Sequence, residues 1–422
     1  MKKEFIHHIP KEKEGTYYTV PFSVPKGVEK LTVSYSYHRG TRGALADLHP
    51  TNTIDFGLMD EKGSFLGWSG SAHKSVFISE FSSTKGYLCE KVNEGEWKII
   101  VGAYHVVEKG VDVKYALEFE EEGEKLLFGD LHIHSTASDG KYDIPTLGNM
   151  AREAGLDFVG IANHNNYCEN LNLPKIDNLT FIPAVEWTHY KGHINFFGVK
   201  APFENSFIAN TEEEMKEIIA HAKGLGAVIS VNHPKCPFCP YLWEDDTAFD
   251  MMEIWNGPMS PRNMKALSWW TQLLQKGRKI PVVGGSDFHK EGFMAQFASP
   301  VTAVMTKSRG SEDILDAIRN GHSFVTSGID GARLFLSYGS ARHGDTAKFD
   351  ENTKLHIDAE NLGGARLVLV TDYGEKELDR KSDSAHINVT LGRTKFAYVK
   401  VVIGKGKLEM LRAVSNPIYF AG

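Results

Sequence analysis

The middle of the chain, from Leu126 to Ser327, alternates short apolar segments with helical patterns, and this alternation restricts the fold more than any other feature. Seven apolar segments that are typical of buried strands recur here: LLFGDLHI, LDFVGIAN, LTFIPAVE, HINFFG, AVISVN, DMMEIW and IPVVGGSD. Repeated strand-then-helix units are typical of a parallel sheet, and about seven of them favour a closed or distorted barrel. The expected fold class of residues 126–328 is therefore α/β, as a distorted (β/α)7 barrel.

Helical patterns separate the apolar segments and carry their own start and stop signals. Thr211 and Glu214 form a capping box, Ser260 and Ser311 stand in cap positions, and glycines follow the last turns. The predicted helices are 145–154, 211–223, 261–276 and 312–320.

The two flanks of this region alternate apolar and polar residues with a period of two. In KLTVSYSY and VDVKYALEFE the apolar residues share one face, as in half-buried antiparallel strands, and the alternation returns in LHIDA, HINVTL and FAYVKVVI. We therefore predict a β-sandwich domain over residues 1–122, a charged linker near 120–125, and a second, smaller β-sandwich over 329–422.

Charge and composition narrow the class of protein. The chain has 47 Lys and Arg against 54 Asp and Glu, a formal charge of −7, so it offers no overall basic field for nucleic acid. No apolar run approaches the roughly 18 residues of a membrane helix, and the first residues lack a signal-peptide core. Only four cysteines occur, which is compatible with a reducing compartment, so a cytoplasmic protein is expected. The expected partner is a small-molecule substrate, with no membrane or nucleic-acid partner. The oligomeric state is undetermined.

Residues of metal-ligand type stand at the strand ends of the middle region. One histidine at a strand end is usually structural, but H-x-H, a strand-end glutamate and D-x-H in the same phase of the pattern rarely coincide. The nine candidates are His132, His134, Asp139, His164, Glu186, His193, His233, Asp287 and His289. Imidazole and carboxylate ligands without thiolate suit Zn, Mn or Fe(II), and nine ligands imply two or three divalent ions. Such a centre is typical of a hydrolase.

The motifs of this region resemble those of the PHP (polymerase and histidinol phosphatase) superfamily. GDLHIHSTASDG, ANHNN, AVEWTHYKGHINFFG, NHP and GGSDFH match its motifs in order. The segments GWSGSAHKSVFISEFSSTKGY, EGEWKIIVGAY and SNPIYF are similar to CehA/McbA-type (carbaryl hydrolase-like) metallohydrolases, in which a PHP barrel lies between β domains. An amidohydrolase barrel is less expected, because it would need a bridging lysine where this chain has Glu186.

The resemblance implies three ligand sets: His132, His134, Glu186 and Asp287; Glu186, His193 and His233; and Asp139, His164 and His289. The second motif usually reads Asp-His, whereas this chain has Asn163 before His164, which changes the charge next to that ligand. His193 is preferred over His189 as a ligand because it opens an apolar strand.

The expected activity is metal-dependent hydrolysis of a phosphoester, with metal-bound hydroxide as nucleophile and Asp287, Glu186 and His193 as catalytic residues. The alternatives are a carbamate, amide or carboxyl-ester hydrolase of the carbaryl hydrolase type, and a non-catalytic metal-binding module.

Two further features lie near the predicted ligands. Lys191, Lys235 and Arg262 could contact an anionic substrate, although solvated surface cations are an equally good interpretation. As a zinc ribbon, Cys236-Pro-Phe-Cys239 lacks the second pair, and as a redox motif it lacks a thioredoxin-like context, so we expect these cysteines to line a pocket.

Overall fold

The computed structural model of the chain describes residues 1–40, 52–203, 206–244, 249–292, 296–380 and 382–421. The chain divides into two compact units, Met1–Gly123 and Glu124–Gly422. Among the helices of the described residues, none combines the length and the apolar character needed to span a membrane.

The first unit consists of two four-stranded antiparallel sheets, ordered β1-β8-β3-β6 and β2-β7-β4-β5. Its strands are β1 (Lys2–Ile9), β2 (Thr16–Val24), β3 (Val28–Tyr37), β4 (Thr53–Met59), β5 (Phe65–Gly70), β6 (Ser75–Ser79), β7 (Gly95–His105) and β8 (Val111–Glu121). The alternating residues of β3 and β8 face inward and join side chains of the other sheet, such as Trp97, in one buried cluster. The predicted period of two therefore does select the buried face.

The second unit begins with the mixed α/β region that contains the predicted ligands. Its strands are β9 (Lys125–Ile133), β10 (Phe158–Ile161), β11 (Thr180–His189), β12 (Gly192–Phe197), β13 (Val228–Val231), β14 (Met251–Asn256), β15 (Val282–Gly285), β16 (Val301–Thr306) and β17 (Ser323–Thr326). Its helices are α1 (Ile144–Glu153), α2 (Glu212–Gly224), α3 (Pro261–Gln275) and α4 (Ser311–Arg319).

The predicted helices are present with small shifts at their ends. The Thr211–Glu214 capping box of α2 is formed, with both reciprocal hydrogen bonds. Ser260 precedes α3 without a side-chain capping bond, and Gly310 rather than Ser311 occupies the cap position of α4. The four helical sequence patterns therefore located the helices, but they did not identify every N-terminal capping residue.

The main sheet is mixed rather than parallel throughout. Its order is β15-β14-β13-β12-β11-β10-β9-β16-β17, continued into the C-terminal strands. β11 and β12 are antiparallel because only Tyr190 and Lys191 separate them, which leaves no room for a crossover. In the described residues no ladder joins β15 to β9 to close a barrel, although one parallel bridge links Ile133 to Phe288. The α/β class is confirmed, but the residues that the structure describes do not form a closed barrel.

The C-terminal strands extend the same unit. They are β18 (Arg333–Tyr338), β19 (Ala341–Arg342), β20 (Thr346–Lys348), β21 (Lys354–Glu360), β22 (Arg366–Thr371), β23 (Gly374–Leu378), β24 (Ala385–Thr390), β25 (Phe396–Ile403), β26 (Met410–Ser415) and β27 (Ile418–Ala421). β17 pairs with β26, so the main sheet runs on through β25, β22 and β23, while β19, β18, β21 and β24 form a separate antiparallel sheet. A domain boundary at 328/329 stays a prediction.

Candidate metal centre

The nine predicted ligands lie together at one end of the main sheet. The parallel strands β9, β10, β13, β14 and β15 place their carboxyl ends at this edge, and β12 begins there because it runs the other way. His132 lies near the end of β9, and His233 and Asp287 come two residues after β13 and β15. Residues more than 150 positions apart in the sequence, such as His134 and Asp287, therefore come within 3.1 Å of each other.

Glu186 is fully buried at the centre of this group. Its Oε1 lies 3.1 Å from Nδ1 of His193, 3.2 Å from Nε2 of His233 and 3.3 Å from Nε2 of His132. Its Oε2 lies 2.9 Å from Nδ1 of His164 and 3.6 Å from Nε2 of His134. One carboxylate thus faces five imidazole rings from four different segments.

Burial and charge act in opposite directions on these groups. Burial by itself would raise the pKa of Glu186, but the neighbouring imidazoles, His132 foremost, hold that pKa well below its usual range. Burial opposes a charge on His132 as well, yet the carboxylates of Glu253, Glu186 and Asp287 raise the pKa of His132 well above its usual value. The cleft therefore attracts cations, whether protons or metal ions.

The ligand atoms are close enough for shared metal coordination. In the described part of the chain, five overlapping groups have their ligand atoms within 4.8 Å of one another: His134, Asp139, His164 and His289; His193, His233 and Cys239; His132, Glu186 and His233; His132, His134 and Asp287; and His164, Glu186 and His193. All nine predicted residues occur among them. His134 lies with Asp139, His164 and His289 as well as with His132 and Asp287, which the sequence did not indicate.

The donor set fits divalent metal ions. Nε2 of His132 and Nδ1 of His134 are buried and have no hydrogen-bond partner among the described residues. Buried polar atoms are normally hydrogen-bonded, so unpaired atoms within these ligand groups are consistent with bound ions. His233 and Asp287 have φ angles of 26° and 53°, and such non-glycine conformations are concentrated at functional sites.

Two buried carboxylates that the sequence did not indicate, Glu253 and Asp130, form hydrogen bonds with candidate ligands. Oε1 of Glu253 lies 3.0 Å from Nδ1 of His132, and its Oε2 accepts the backbone N–H of His233. Oδ1 of Asp130 accepts the backbone N–H groups of His132 and Ser286, and burial raises the pKa of Asp130 to about 6. A carboxylate within an apolar strand, as in MMEIWN, was the available signal for Glu253.

The Asn163 position is linked to a carboxylate from a later turn. Nδ2 of Asn163 donates to Oε2 of Glu169 at 2.9 Å, and the Ser135 hydroxyl donates to the same oxygen. Oδ1 of Asn163 accepts the backbone N–H of Ser135. The residues following His134 and preceding His164 are thereby joined, and Glu169 supplies the negative charge that Asn163 lacks.

The structure separates the two candidate histidines of the third motif. The His193 ring contacts Glu186, whereas the His189 ring stacks on Trp187 and lies 4.8 Å from the Trp243 ring centroid. Nδ1 of His189 accepts the backbone N–H of Lys191. This geometry favours His193 as the ligand.

The three candidate substrate cations have contacts outside the nine-residue group. Lys191 lies over the Trp243 ring and Lys235 over the Trp269 ring. Arg262 donates to Oδ1 of Asn256 at 3.0 Å. Their assignment to substrate binding stays a prediction.

Comparison with known proteins gives a limited picture. No family model matches the chain, and no curated protein matches it. Among solved structures, it is similar to a two-domain protein from Bacteroides vulgatus that contains a predicted PHP-like metal-dependent phosphoesterase, with 20% identity, 66% of this chain and 91% of that chain covered, and a TM-score of 0.39.

Two further structures are similar over a smaller part of the chain. A candidate metal-dependent phosphoesterase from Bifidobacterium adolescentis has 18% identity over 40% of this chain and 90% of its own, with a TM-score of 0.29. An amidohydrolase from Chromobacterium violaceum, with bound sulfate and no metal, has 13% identity over 40% and 89%, with a TM-score of 0.28. TM-scores below 0.5 do not establish a shared fold.

Proposed function

We propose that this chain is a metal-dependent hydrolase of the PHP type and that its substrate is a phosphoester. The observation that carries the proposal is the buried Glu186 carboxylate, which faces imidazole nitrogens of His132, His164, His193 and His233 at 2.9 to 3.3 Å. A carboxylate in this position can bridge two cations, and the surrounding imidazoles supply the remaining ligands.

Two carboxylates of the site, Glu186 and Asp287, differ in their exposure to solvent and therefore in the role that we propose for each. Two or three Zn, Mn or Fe(II) ions, when bound, would polarise the substrate and lower the pKa of water. The Glu186 side chain is 1% exposed and stays a fixed anion, whereas that of Asp287 is 26% exposed. Oδ1 of Asp287 lies 3.1 Å from Nε2 of His134, so Asp287 is placed to exchange a proton between the site and solvent.

The phosphoester preference follows from the distribution of the candidate ligands. Asp139, Glu186 and Asp287 lie in different groups, so they can hold positive charge at several points around one substrate. A phosphoryl group carries charge on three equatorial oxygens and needs this arrangement, whereas a single carbonyl oxygen does not.

One observation favours a carbamate or carboxyl ester of the carbaryl hydrolase type. Trp187 and His189 lie on the strand that carries Glu186 and cluster with Trp243, and these rings could form an apolar wall for an aryl group. Membership of the CehA/McbA-type subgroup belongs to this second candidate.

The test combines metal analysis with a substrate panel. Purified protein loaded with Zn²⁺, Mn²⁺ or Fe²⁺ is assayed on phosphoesters and on aryl carbamates, beside Glu186→Gln. Glu118→Gln, the same change at a half-exposed side chain of β8 in the first unit, is the control. We expect more than one equivalent of metal and phosphoesterase activity that Glu186→Gln loses.

Each other result has a definite meaning. Metal binding without turnover of any substrate would indicate a non-catalytic metal-binding module. Carbamate turnover without phosphoesterase activity would promote the second candidate. Failure to bind any metal would contradict the site itself.

A further inference from the structure

A pair of cysteines lies in the loop that begins at His233. The Sγ atoms of Cys236 and Cys239 are 3.1 Å apart, and both thiols are free. Cys236 is buried and Cys239 is partly exposed. Nη1 of Arg262 lies 3.7 Å from Sγ of Cys236, a cationic neighbour of the kind found beside reactive thiols. The sequence predicts pocket lining for this pair, but the distance between its sulfur atoms suits a disulfide after a small movement.

The pair is directly connected to a candidate metal ligand. Sγ of Cys239 lies 3.6 Å from Nδ1 of His233, while Nε2 of the same ring lies 3.2 Å from Oε1 of Glu186. The backbone N–H of Cys236 donates to the carbonyl of His233. His233 therefore faces the metal centre with one ring nitrogen and the cysteine pair with the other, and the partner of the second nitrogen tunes a ligand histidine.

We propose that Cys236 and Cys239 form a reversible disulfide that lowers the affinity of the His233 site for its metal ion. This inference rests on the proposed function, because it requires that His233 binds a metal. The oxidant is a small-molecule disulfide such as oxidised glutathione.

The disulfide forms by two thiol–disulfide exchange steps with glutathione disulfide, and the first step takes place at the more exposed cysteine. The Cys239 sulfur, the more exposed of the two, attacks one sulfur of glutathione disulfide, and one glutathione leaves with a proton. The Cys236 sulfur then attacks the Cys239 sulfur of the mixed disulfide, the second glutathione leaves with the other proton, and the protein disulfide remains. Two protein thiols are oxidised while one glutathione disulfide is reduced to two thiols.

Oxidation changes the contact on which His233 depends. A thiol or thiolate sulfur beside Nδ1 becomes a disulfide sulfur, which carries no charge and is a weak acceptor. The new covalent bond also closes the loop onto a residue whose φ of 26° leaves little freedom to adjust. Loss of a partner behind a ligand histidine typically costs 10- to 100-fold in metal affinity, and we expect that range here.

The experiment uses the full chain equilibrated in glutathione buffers from reducing to oxidising and then desalted without air. Mass spectrometry of the peptide that contains residues 233–240 reports the disulfide, and competition with a chromophoric chelator reports Zn²⁺ affinity. The control is the Cys236→Ser, Cys239→Ser double variant, which keeps a hydroxyl near Nδ1 of His233 and cannot be oxidised. In the single variant Cys236→Ser we expect a glutathione adduct at Cys239.

The expected result is a disulfide that forms reversibly and a 10- to 100-fold weaker Zn²⁺ affinity in the oxidised chain, with no redox dependence in the double variant. Absence of the disulfide in fully oxidising buffer would overturn the proposal. So would a disulfide that leaves Zn²⁺ affinity unchanged. If neither redox form binds Zn²⁺, the proposed function and this inference both fail, and the peptide masses still show separately whether the thiols pair.

Discussion

Nδ1 of His132 lies 3.0 Å from Oε1 of Glu253, and both side chains are buried. The other oxygen of Glu253 accepts the backbone N–H of His233 at 2.9 Å and a side-chain N–H of Asn256 at 3.1 Å. A single carboxylate therefore orients candidate ligands at the ends of two different strands. Ligand histidines usually have such a partner on the nitrogen that faces away from the metal.

Replacing Glu253 by Gln should weaken metal binding about 10- to 100-fold. The amide has nearly the same shape, but it is neutral and has only one oxygen for the two contacts that Glu253 now makes with His132 and His233. Zn²⁺ competition measures the effect, and the melting temperature of the metal-free chain separates it from a loss of folding. An affinity equal to that of the unchanged chain would mean that Glu253 only fills space behind the site.

The candidate ligands could be proposed from sequence because strand phase and motif order point to them, whereas their supporting residues could not. His132 and His134 share a face through the two-residue period of β9, and motif order located the others. Glu253 contacts His132 and His233 from a strand far along the chain, whereas Glu169 contacts Ser135 and Asn163, the neighbours of His134 and His164. Nothing local in MMEIW or YCENLN specifies these contacts. Such contacts depend on sheet order, which periodicity does not determine.

The substitution Asn163→Asp should destabilise the folded chain by about 1–3 kcal/mol, because it replaces a hydrogen bond to the Glu169 carboxylate with a pair of like charges. Adding Glu169→Gln should recover much of that loss, since the new amide can then donate to the carboxylate introduced at position 163. Denaturant unfolding of the two single variants and the double variant gives the coupling energy. Additive effects would contradict a direct charge interaction between the two positions.

The group formed by Asp139, His164 and His289 should matter most for phosphoesters. Nε2 of His289 lies 3.3 Å and Nε2 of His164 lies 3.5 Å from the carboxylate of Asp139, whose side chain is 56% exposed and so is open to a substrate. We expect Asp139→Ala with His164→Ala to lower phosphoesterase kcat at least about 10²-fold, the effect of losing one preorganised electrostatic element.

Carbamate or carboxyl-ester hydrolysis, where the chain shows it, should fall much less in the same variant, because one carbonyl oxygen needs fewer positive neighbours. The two assays are run on the same metal-loaded preparation. Equal losses on both substrate classes would show that this group supports the whole site rather than the phosphoryl oxygens.

In the second unit, the hydrophobic pattern predicts the strands but not their direction or the closure of the sheet. The apolar segments LTFIPAVE and HINFFG are both predicted as strands, but only Tyr190 and Lys191 separate β11 from β12, which forces a hairpin, and the sheet becomes mixed at this point. A barrel would close only if β15 paired with β9. The sequence of neither strand determines whether the two strands pair. The strands were therefore predictable and the closure was not.

The last prediction concerns pH and a histidine outside the metal centre. His343 is fully buried; Nδ1 accepts the backbone N–H of Leu336, and Nε2 has no hydrogen-bond partner among the described residues. Burial, with the nearby charges of His322 and Arg342, lowers the pKa of His343 from 6.5 to about 3, and Asp345 opposes this only in part. Between these two values the unfolded chain binds a proton that the folded chain does not bind.

Stability must therefore fall as the pH is lowered through this range, by up to about 1.4 kcal/mol per pH unit from this one group. The variant His343→Asn keeps an acceptor near Nδ1 and cannot titrate, so its free energy of unfolding should fall less steeply with acid than that of the parent chain. The difference between the two slopes, measured by urea unfolding from about pH 6.5 to about pH 4.5, isolates His343 because the metal-site groups titrate in both proteins. Parallel slopes would show that His343 gains its proton in the folded state as readily as in the unfolded state.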